Sequence, residues 1–325
     1  MHTARLAAIG VLAMVWTAGA NDTAATLGAG GLIPMKSSAI VMLSEDLRIS
    51  VRRITVKYLF RNTSGRDLDA TVAFPLPEMD GGAIANIPIR IPSRDALNFV
   101  DFEVLVAGRE IEPRTEVRAF FDNAEITSQL RSLGLPLSVL DGNVTVAVKK
   151  LSAQDRSRLE KNNWVDCSLT RDGKCWPYWQ SRIQFYWTQR FPAGQTVSVR
   201  HTYRPVVGGS VIYRLDDGAT SVQPYCGGAD ALDQIKRQKQ LRAPADDNDR
   251  PVLAERQVEY ILTTANNWSG PIRSFHLTVD SDSPDDTVFT CMPGLKRVAP
   301  TRYELVRSNF RPDRELQLLV LQLNK

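Results

Sequence analysis

The residues best suited to chemistry crowd into one stretch, DCSLTRDGKCWPYWQ, at residues 166–180. Cys167 and Cys175 could pair as a disulfide, and Trp176, Tyr178 and Trp179 follow the second cysteine closely. Flat aromatic rings beside polar groups stack on sugar rings or grip a partner protein, since they give a large contact area at a small entropy cost. We therefore predict that these three aromatic residues contact a ligand or partner. The alternative is that the tryptophans cover a hydrophobic core.

The chain has four cysteines, and we expect all of them to pair if the protein is exported, because oxidising compartments let disulfides persist. We predict the bridges Cys167–Cys175 and Cys226–Cys291, since pairing nearest neighbours keeps each bridge within one region. A zinc site is the alternative, but Cys167 and Cys175 are too far apart for a C-x₂₋₄-C knuckle. The sequence therefore predicts two disulfides, no metal and no cofactor.

The common catalytic signatures are missing from the sequence. No Gly-x-Ser-x-Gly elbow, P-loop, Gly-x-Gly-x-x-Gly or His-Glu-x-x-His motif occurs. A catalytic triad needs a histidine, and beyond residue 20 the chain offers only His201 and His276. His201 alternates in step with Val199 and Tyr203, so we expect its side chain on the buried face of its strand, in a core. His276 directly follows Phe275 and so points to the other face, where we expect it in solvent.

The N-terminus has the features of an export signal, which we predict at residues 1–20. Arg5 is its only formal charge, an apolar segment runs from Leu6 to Trp16, and Ala18-Gly19-Ala20 forms a small-x-small cleavage site. The apolar stretches of the chain are shorter than the roughly 20 residues needed to cross a bilayer, which predicts no transmembrane anchor. With a formal net charge of only +4 and scattered basic residues, we predict a periplasmic or secreted protein with no nucleic-acid partner.

Alternating apolar residues predict a mainly β fold of two antiparallel β-sandwich-like units with short helical insertions. We expect an N-terminal β-sandwich at 21–205, with a helical insertion near 122–162, and a C-terminal β-rich domain at 206–325, with one helix near 229–242. The turns at 62–67 and 191–195 each predict a hairpin between their flanking strands. Pro75 and Pro77 predict that the strand Leu68–Leu76 lies at a sheet edge, since proline cannot donate a ladder hydrogen bond.

Several separated motifs, in order, resemble a family of bacterial exported proteins described as domain of unknown function 4424. They are NDTAATLGAGGLIP, AIVMLSEDLRIS, VAFPLP, FPAGQTVSVRHTY, NWSGPI and CMPGLK, and they span nearly the whole chain after the predicted signal. The order of the strands around RNTSGRDLDATVAFPLP is also similar to the sandwich domain that precedes von Willebrand A domains in inter-α-trypsin inhibitor and vault proteins. The Asp-x-Ser-x-Ser metal loop of the A domain is missing, so that resemblance implies a sandwich and no metal-dependent adhesion.

We predict an exported envelope protein that binds rather than catalyses, with an envelope protein or a glycan as its partner. One alternative is a carboxylate-dependent hydrolase acting on cell-wall or exopolysaccharide glycans, which needs two acids about 5 to 9.5 Å apart. Asp166 and Asp172 are among the many candidate acids. The other alternative is a passive structural part of an envelope assembly. The acidic run at 280–286 lacks the spacing of a calcium loop, and we expect a solvated connection there.

Overall fold

The structure is a computed structural model, which describes residues 23–28, 31–34, 36–84, 89–168, 173–212, 221–228 and 253–323. The predicted signal at 1–20, the predicted helix near 229–242 and the candidate acid Asp172 lie outside the described residues. Within them the chain is mainly β, with short helices inserted between strands, as the sequence predicted.

The described strands of the first half of the chain are β1 Thr23–Gly28, β2 Gly31–Pro34, β3 Ile40–Ile49, β4 Ile54–Asn62, β5 Leu68–Pro75, β6 Met79–Asp80, β7 Ile89–Arg90, β8 Glu103–Val106, β9 Arg109–Ile111, β10 Arg114–Phe121, β11 Ala124–Glu125 and β12 Val165–Asp166. Those of the second half are β13 Trp176–Pro177, β14 Gln180–Phe191, β15 Thr196–Tyr203, β16 Val207–Gly208, β17 Val211–Ile212, β18 Leu253–Tyr260, β19 Ile272–Asp280, β20 Thr287–Phe289, β21 Lys296–Ala299, β22 Arg302–Phe310 and β23 Leu316–Leu323.

Besides 3₁₀-helices at Gln223–Tyr225 and Thr263–Asn267, the described helices are α1 Gly81–Ile84, α2 Thr127–Ser132, α3 Val144–Lys150 and α4 Ala153–Lys161. The last three fall inside the insertion predicted at 122–162. The hydroxyl of Ser152 accepts a hydrogen bond from the Asp155 amide at 3.0 Å, which satisfies one of the free N–H groups at the start of α4. At its end, Asn163 adopts a left-handed φ of 57° that turns the chain out of the helix.

Three sheets and one two-stranded ribbon account for these strands. The seven-stranded sheet has the order β11-β10-β14-β5-β1-β2, with β6 also paired to β14. The eight-stranded sheet has the order β21-β22-β19-β3-β4-β15-β8-β9. The six-stranded sheet has the order β20-β23-β18-β16-β7, with β17 paired to β18, and β12 and β13 form the ribbon.

One large core joins the three sheets. Between the seven-stranded and eight-stranded sheets, the Phe102 ring stacks on Phe74 and Phe185, with ring centroids 4.3 and 5.0 Å apart. Between the eight-stranded and six-stranded sheets, the hydroxyls of Tyr58 and Tyr260 lie 2.7 Å apart. All five side chains are buried in the same cluster, so each sheet has one apolar face turned toward a common interior.

The two hairpins predicted around 62–67 and 191–195 are wrong, because both turns carry the chain from one sheet to another. β4 pairs with β3 and β15, whereas β5 pairs with β14 and β1. The buried Asn62 holds the two crossings together: its side-chain Nδ2 donates to the carbonyls of Arg66 and Phe191, at 2.8 Å each. Alternation of apolar residues fixes the buried face of each strand but does not choose its partner.

The edge position predicted for the strand ending in Pro75 is also wrong where β1 pairs with it, at Thr71, Val72 and Ala73. β5 lies between β14 and β1 in the seven-stranded sheet. The last described pair with β1 is Thr23 with Ala73, and Pro75 comes after it, opposite Gln184 of β14. The missing N–H of Pro75 therefore falls where the described part of β1 no longer pairs with β5.

The division into two domains near residue 205 remains a prediction. Strands from the two sides of this boundary pair with each other inside the same sheets. In the eight-stranded sheet, β3 from the first half pairs in parallel with β19 from the second, at Leu47 with Leu277 among other positions. The common core likewise contains residues from both sides of the boundary. A second pair also crosses the boundary, because β7 pairs with β16 in the six-stranded sheet, at Arg90 with Val207 and Ile89 with Gly208.

A second, smaller core lies under the helical insertion. Its buried members come from α2, α3, α4 and the strands beside them: Ala119, Ile126, Leu130, Leu135, Val144, Val148, Leu159, Val165, Cys175 and Trp179. Trp179 is 0% exposed, and its indole Nε1 donates to the Leu137 carbonyl at 2.8 Å. This core forms the base on which the ribbon and the start of β14 rest.

Candidate functional site

A groove of about 900 Å³ opens above the second core, beside the ribbon. Four carboxylates and two aromatic rings are prominent among its described lining residues, and lysine and arginine are not among them. The lining consists of Asp80, Gly82, Phe121, Asp122, Glu160, Asn163, Val165, Asp166, Cys167, Ser168, Tyr178 and Gln180. The acids come from four separate places in the chain, so the fold assembles an acidic wall that no local motif contains.

Asp80 is fixed at one side of the groove by the pairing of β6 with β14. Its backbone pairs with Gln180, whose side-chain Nε2 donates to Asp80 Oδ2 at 2.9 Å. The other oxygen, Oδ1, accepts from the Ala83 amide at 3.0 Å. With both oxygens hydrogen-bonded, the carboxylate keeps one orientation and still has lone pairs for a ligand.

The double glycine after Asp80 lets the ribbon approach closely. A Cβ on Gly81 would lie 2.0 Å from the Pro177 carbonyl oxygen, and a Cβ on Gly82 would lie 3.1 Å from the Tyr178 ring. The Gly81 carbonyl accepts a hydrogen bond from Trp176 Nε1 at 2.7 Å. The absence of side chains at these two positions therefore allows Tyr178 to reach the groove wall.

The other acids are placed by a tight turn, a helix and the ribbon. Asp122 and Asn123 have φ angles of 47° and 65°, as a two-residue turn between β10 and β11 requires, and Asp122 projects there in an exposed position. Glu160 lies on the exposed side of the last turn of α4. Asp166 lies on β12, opposite Trp176, and its Oδ1 accepts from the amide and the hydroxyl of Ser168, at 2.7 Å each.

Both predicted disulfides are present, and one of them anchors the groove. Cys167 pairs with Cys175, and Cys226 pairs with Cys291. Cys167 lines the groove, while Cys175 is buried in the second core, where its amide donates to Thr145 Oγ1 at 3.1 Å. The bridge thus ties the wall that carries Asp166 to the packed interior.

The three aromatic residues predicted to contact a ligand or partner have three different surroundings. Tyr178 is half-buried and lines the groove. Trp176 is half-buried next to the groove, with its indole bound to the Gly81 carbonyl. Trp179 is fully buried in the second core and offers no surface to a ligand. Tyr178 therefore remains the predicted contact residue. Trp176 lies beside the groove, where its hydrogen bond to Gly81 holds the ribbon in place.

Sequence reasoning missed most of the groove residues, although one signal for Trp179 was present. The alternation of Ile183, Phe185 and Trp187 extends back to Trp179, which assigns that side chain to the buried face of the strand. Phe121, Asp122 and Glu160 carry no such signal. They join the groove only because α4 and the β10–β11 turn pack around the second core.

The two histidines lie where their strand parity predicted. His201 is buried among four aromatic side chains, with ring centroids 5.0 to 5.7 Å from Phe74, Phe102, Tyr58 and Trp187. Burial lowers its pKa from 6.5 to about 3. His276 is partly exposed, with Nδ1 3.4 Å from Asp46 Oδ1. Neither residue lines the groove.

Two kinds of feature are absent from the described ranges. No group of three or more His, Cys, Asp and Glu side chains there is arranged to hold a metal ion. Across the same residues, no helix is both long and apolar enough to span a membrane.

Comparison with known proteins gives a family and a distant structural likeness. The model of a family described as domain of unknown function (DUF4424) matches residues 20–319. Among solved structures, the chain is similar to a Legionella pneumophila protein provisionally described as nutrient-binding. The identity is 14% and the TM-score 0.44, over 94% of this chain and 72% of that one. No curated protein matches the sequence.

Proposed function

The chain belongs to the family described as domain of unknown function 4424, and because that description names no activity, we propose a function from the groove itself. We propose an exported binding module of the cell envelope that holds a glycan against Tyr178 and the surrounding carboxylates. The observation that carries the proposal is the groove of about 900 Å³, which four acids and the half-buried Tyr178 ring line together. The two disulfides are consistent with export.

The chemistry of the lining matches a ligand rich in hydroxyl groups. Carboxylate oxygens accept hydrogen bonds and donate none, so they suit sugar hydroxyls and amines. Hydrogen bonds within the protein already orient Asp80 and Asp166. Binding a ligand therefore costs these side chains less conformational entropy. A tyrosine ring presents a flat apolar face, on which the C–H face of a sugar ring can stack. The volume lies within the usual range of roughly 300 to 1,000 Å³ for ligand pockets.

The proposal is tested by calorimetric titration of the purified protein with three oligosaccharide probes: a neutral glucan, an N-acetylated chitin fragment and its deacetylated, amine-bearing form. We expect at least one probe to bind, and Tyr178→Ala to weaken that binding at least tenfold, about 1.4 kcal/mol. The matched control is Tyr186→Ala, because Tyr186 is also half-buried but packs on Ala73, outside the groove.

Equal loss of affinity in the Tyr178 and Tyr186 variants would refute the groove as the binding site. Failure of all three probes would refute the glycan as ligand. In that case, proximity labelling in the native host would test the other predicted partner, an envelope protein.

A second candidate function, the glycan hydrolase, is favoured by one observation: the groove brings Asp166 together with three other acids. Hydrolysis needs one acid to protonate the leaving oxygen and another to act as base or nucleophile. Incubation of each probe with the protein, followed by a reducing-end assay, separates turnover from binding. Turnover that Asp166→Asn abolishes would establish the hydrolase, whereas tight binding without new reducing ends would support the binding module.

A further inference from the structure

We propose that Glu45, Tyr58 and Tyr260 form a proton-dependent joint between the eight-stranded and six-stranded sheets, and that alkaline surroundings loosen it. Glu45 lies on β3 and Tyr58 on β4, both in the eight-stranded sheet, whereas Tyr260 lies on β18 of the six-stranded sheet. All three side chains are buried in the interior that the sheets share.

A β-bulge explains why an acid points into the core. In β3, Ile40 and Met42 are buried at even positions, while Leu47 and Ile49 are buried at odd positions. The register shifts between Met42 and Ser44, which inserts one residue and changes the buried parity of the strand. Glu45 follows the bulge and takes the inward parity, so its side chain is 0% exposed.

The carboxyl group connects the two sheets through phenol hydroxyls. The Tyr260 hydroxyl donates to Glu45 Oε1 at 3.0 Å, and the Tyr58 and Tyr260 hydroxyls lie 2.7 Å apart. Tyr58 is also the cross-strand neighbour of Glu45 in the β3–β4 pair. The second carboxyl oxygen, Oε2, is buried and has no hydrogen-bond partner among the described residues. Protonation places a hydroxyl on this carboxyl, and ionisation leaves a buried charge with a single phenol donor.

The elements packed around Glu45 present no positive charge to it within the described residues. On β4 the titratable neighbour is Tyr58, on β18 it is Tyr260, and on β15 the titratable core residues are His201 and Tyr203. The residue opposite Glu45 on β19 is the buried Phe275. Since burial holds His201 neutral at ordinary pH, no group named here offsets an ionised carboxylate.

The direction of the response follows from this burial. Removal from water raises the pKa of Glu45 to about 8, and the Tyr260 hydrogen bond lowers it by a smaller amount. A carboxyl whose folded pKa lies above its unfolded value of 4.5 favours folding most at low pH. That contribution is lost as the pH rises from about 4.5 through about 8. The joint is therefore tightest in acidic surroundings, weakens as the pH rises through neutral, and is weakest above pH 8.

Hydrogen exchange of the full chain at pH 6 and pH 9.5, corrected for intrinsic exchange rates, tests the joint. In the wild type we expect protection of the β18 amides to fall at least tenfold at the higher pH, because β18 carries Tyr260. Glu45→Gln keeps the side-chain shape without the titrating proton, so its β18 protection is expected to change less than twofold. The matched control is Glu103→Gln, which removes an exposed carboxyl from the same sheet and keeps the wild-type response.

A second variant keeps the test decisive if Glu45→Gln fails to fold. Tyr260→Phe removes the hydrogen bond that lowers the Glu45 pKa, so the midpoint of the β18 response is expected at a higher pH than in the wild type. The proposal is overturned if wild-type β18 is equally protected at both pH values. It is also overturned if Glu45→Gln keeps the wild-type fall, or if Tyr260→Phe leaves the midpoint unchanged.

Discussion

The substitution Gly81→Ala tests the close approach of the ribbon to the groove wall. The added Cβ would lie 2.0 Å from the Pro177 carbonyl oxygen and 2.8 Å from its carbonyl carbon. Ordinary contacts of this kind exceed 3 Å, and both atoms belong to the backbone, so the ribbon must move by about 1 Å or more. Overpacking of a tight interior costs about 1–3 kcal/mol. Alanine also restricts the unfolded chain, which returns about 0.4–1 kcal/mol.

We therefore expect Gly81→Ala to lower the free energy of unfolding by about 1–2 kcal/mol, measured by urea denaturation at neutral pH. The matched control is Gly65→Ala, because a Cβ added to Gly65 would meet no atom within 4 Å, and this glycine lies in the turn between β4 and β5. That variant should stay within about 0.5 kcal/mol of the wild type. Fluorescence quenching of Tyr178 and Trp176 by a soluble quencher should also change in Gly81→Ala alone. If the two glycine variants are equally stable, the proposed contact with Pro177 does not constrain the ribbon.

Two further predictions concern the disulfides and the buried histidine. Replacing Cys226 and Cys291 by serine opens a loop with a sequence separation of 65, so we expect a loss of about 4 kcal/mol in urea denaturation, and a loss below about 1 kcal/mol would contradict the loop-entropy estimate. Because burial lowers the pKa of His201 from 6.5 to about 3, stability from this residue is present above pH 6.5 and is lost as the pH falls toward 3. His201→Phe should therefore lose less stability than the wild type between pH 7 and pH 4, and parallel pH profiles would count against a neutral buried imidazole.

The sequence was sufficient for several long strands, the helices of the insertion and the disulfides, because each has a local or pairwise signal. Alternation located β4, β5, β14 and β15 but not β1, β2 or β10, and Ser152 marked the start of α4. The nearest-neighbour rule chose both bridges correctly. Sheet membership had no such signal. At Asn62 the turn composition is typical of a hairpin, yet β4 and β5 lie in different sheets, and the buried Asn62 side chain donates to the Phe191 carbonyl at the second crossing.

The groove could be predicted only in part, for a related reason. Cys167 and Tyr178 lie close together in sequence, and so composition drew attention to them, whereas Phe121 lies far from both. Asp80 and Asp122 lie more than forty positions from the ribbon, and they reach it through the β6–β14 pairing and the β10–β11 turn. Trp179 shows the opposite error, since its residue type suggested a surface contact while its parity indicated the core.

The parallel pairing of β3 with β19 has a consequence for chains that are still being synthesised. β3 ends at Ile49, yet its neighbour on that side begins only at Ile272, so an incomplete chain leaves the backbone of β3 open on one flank. Open strand flanks recruit other chains. Stalled or clipped products that stop before Ile272 should hence self-associate, since that flank is closed only by the final sixth of the chain.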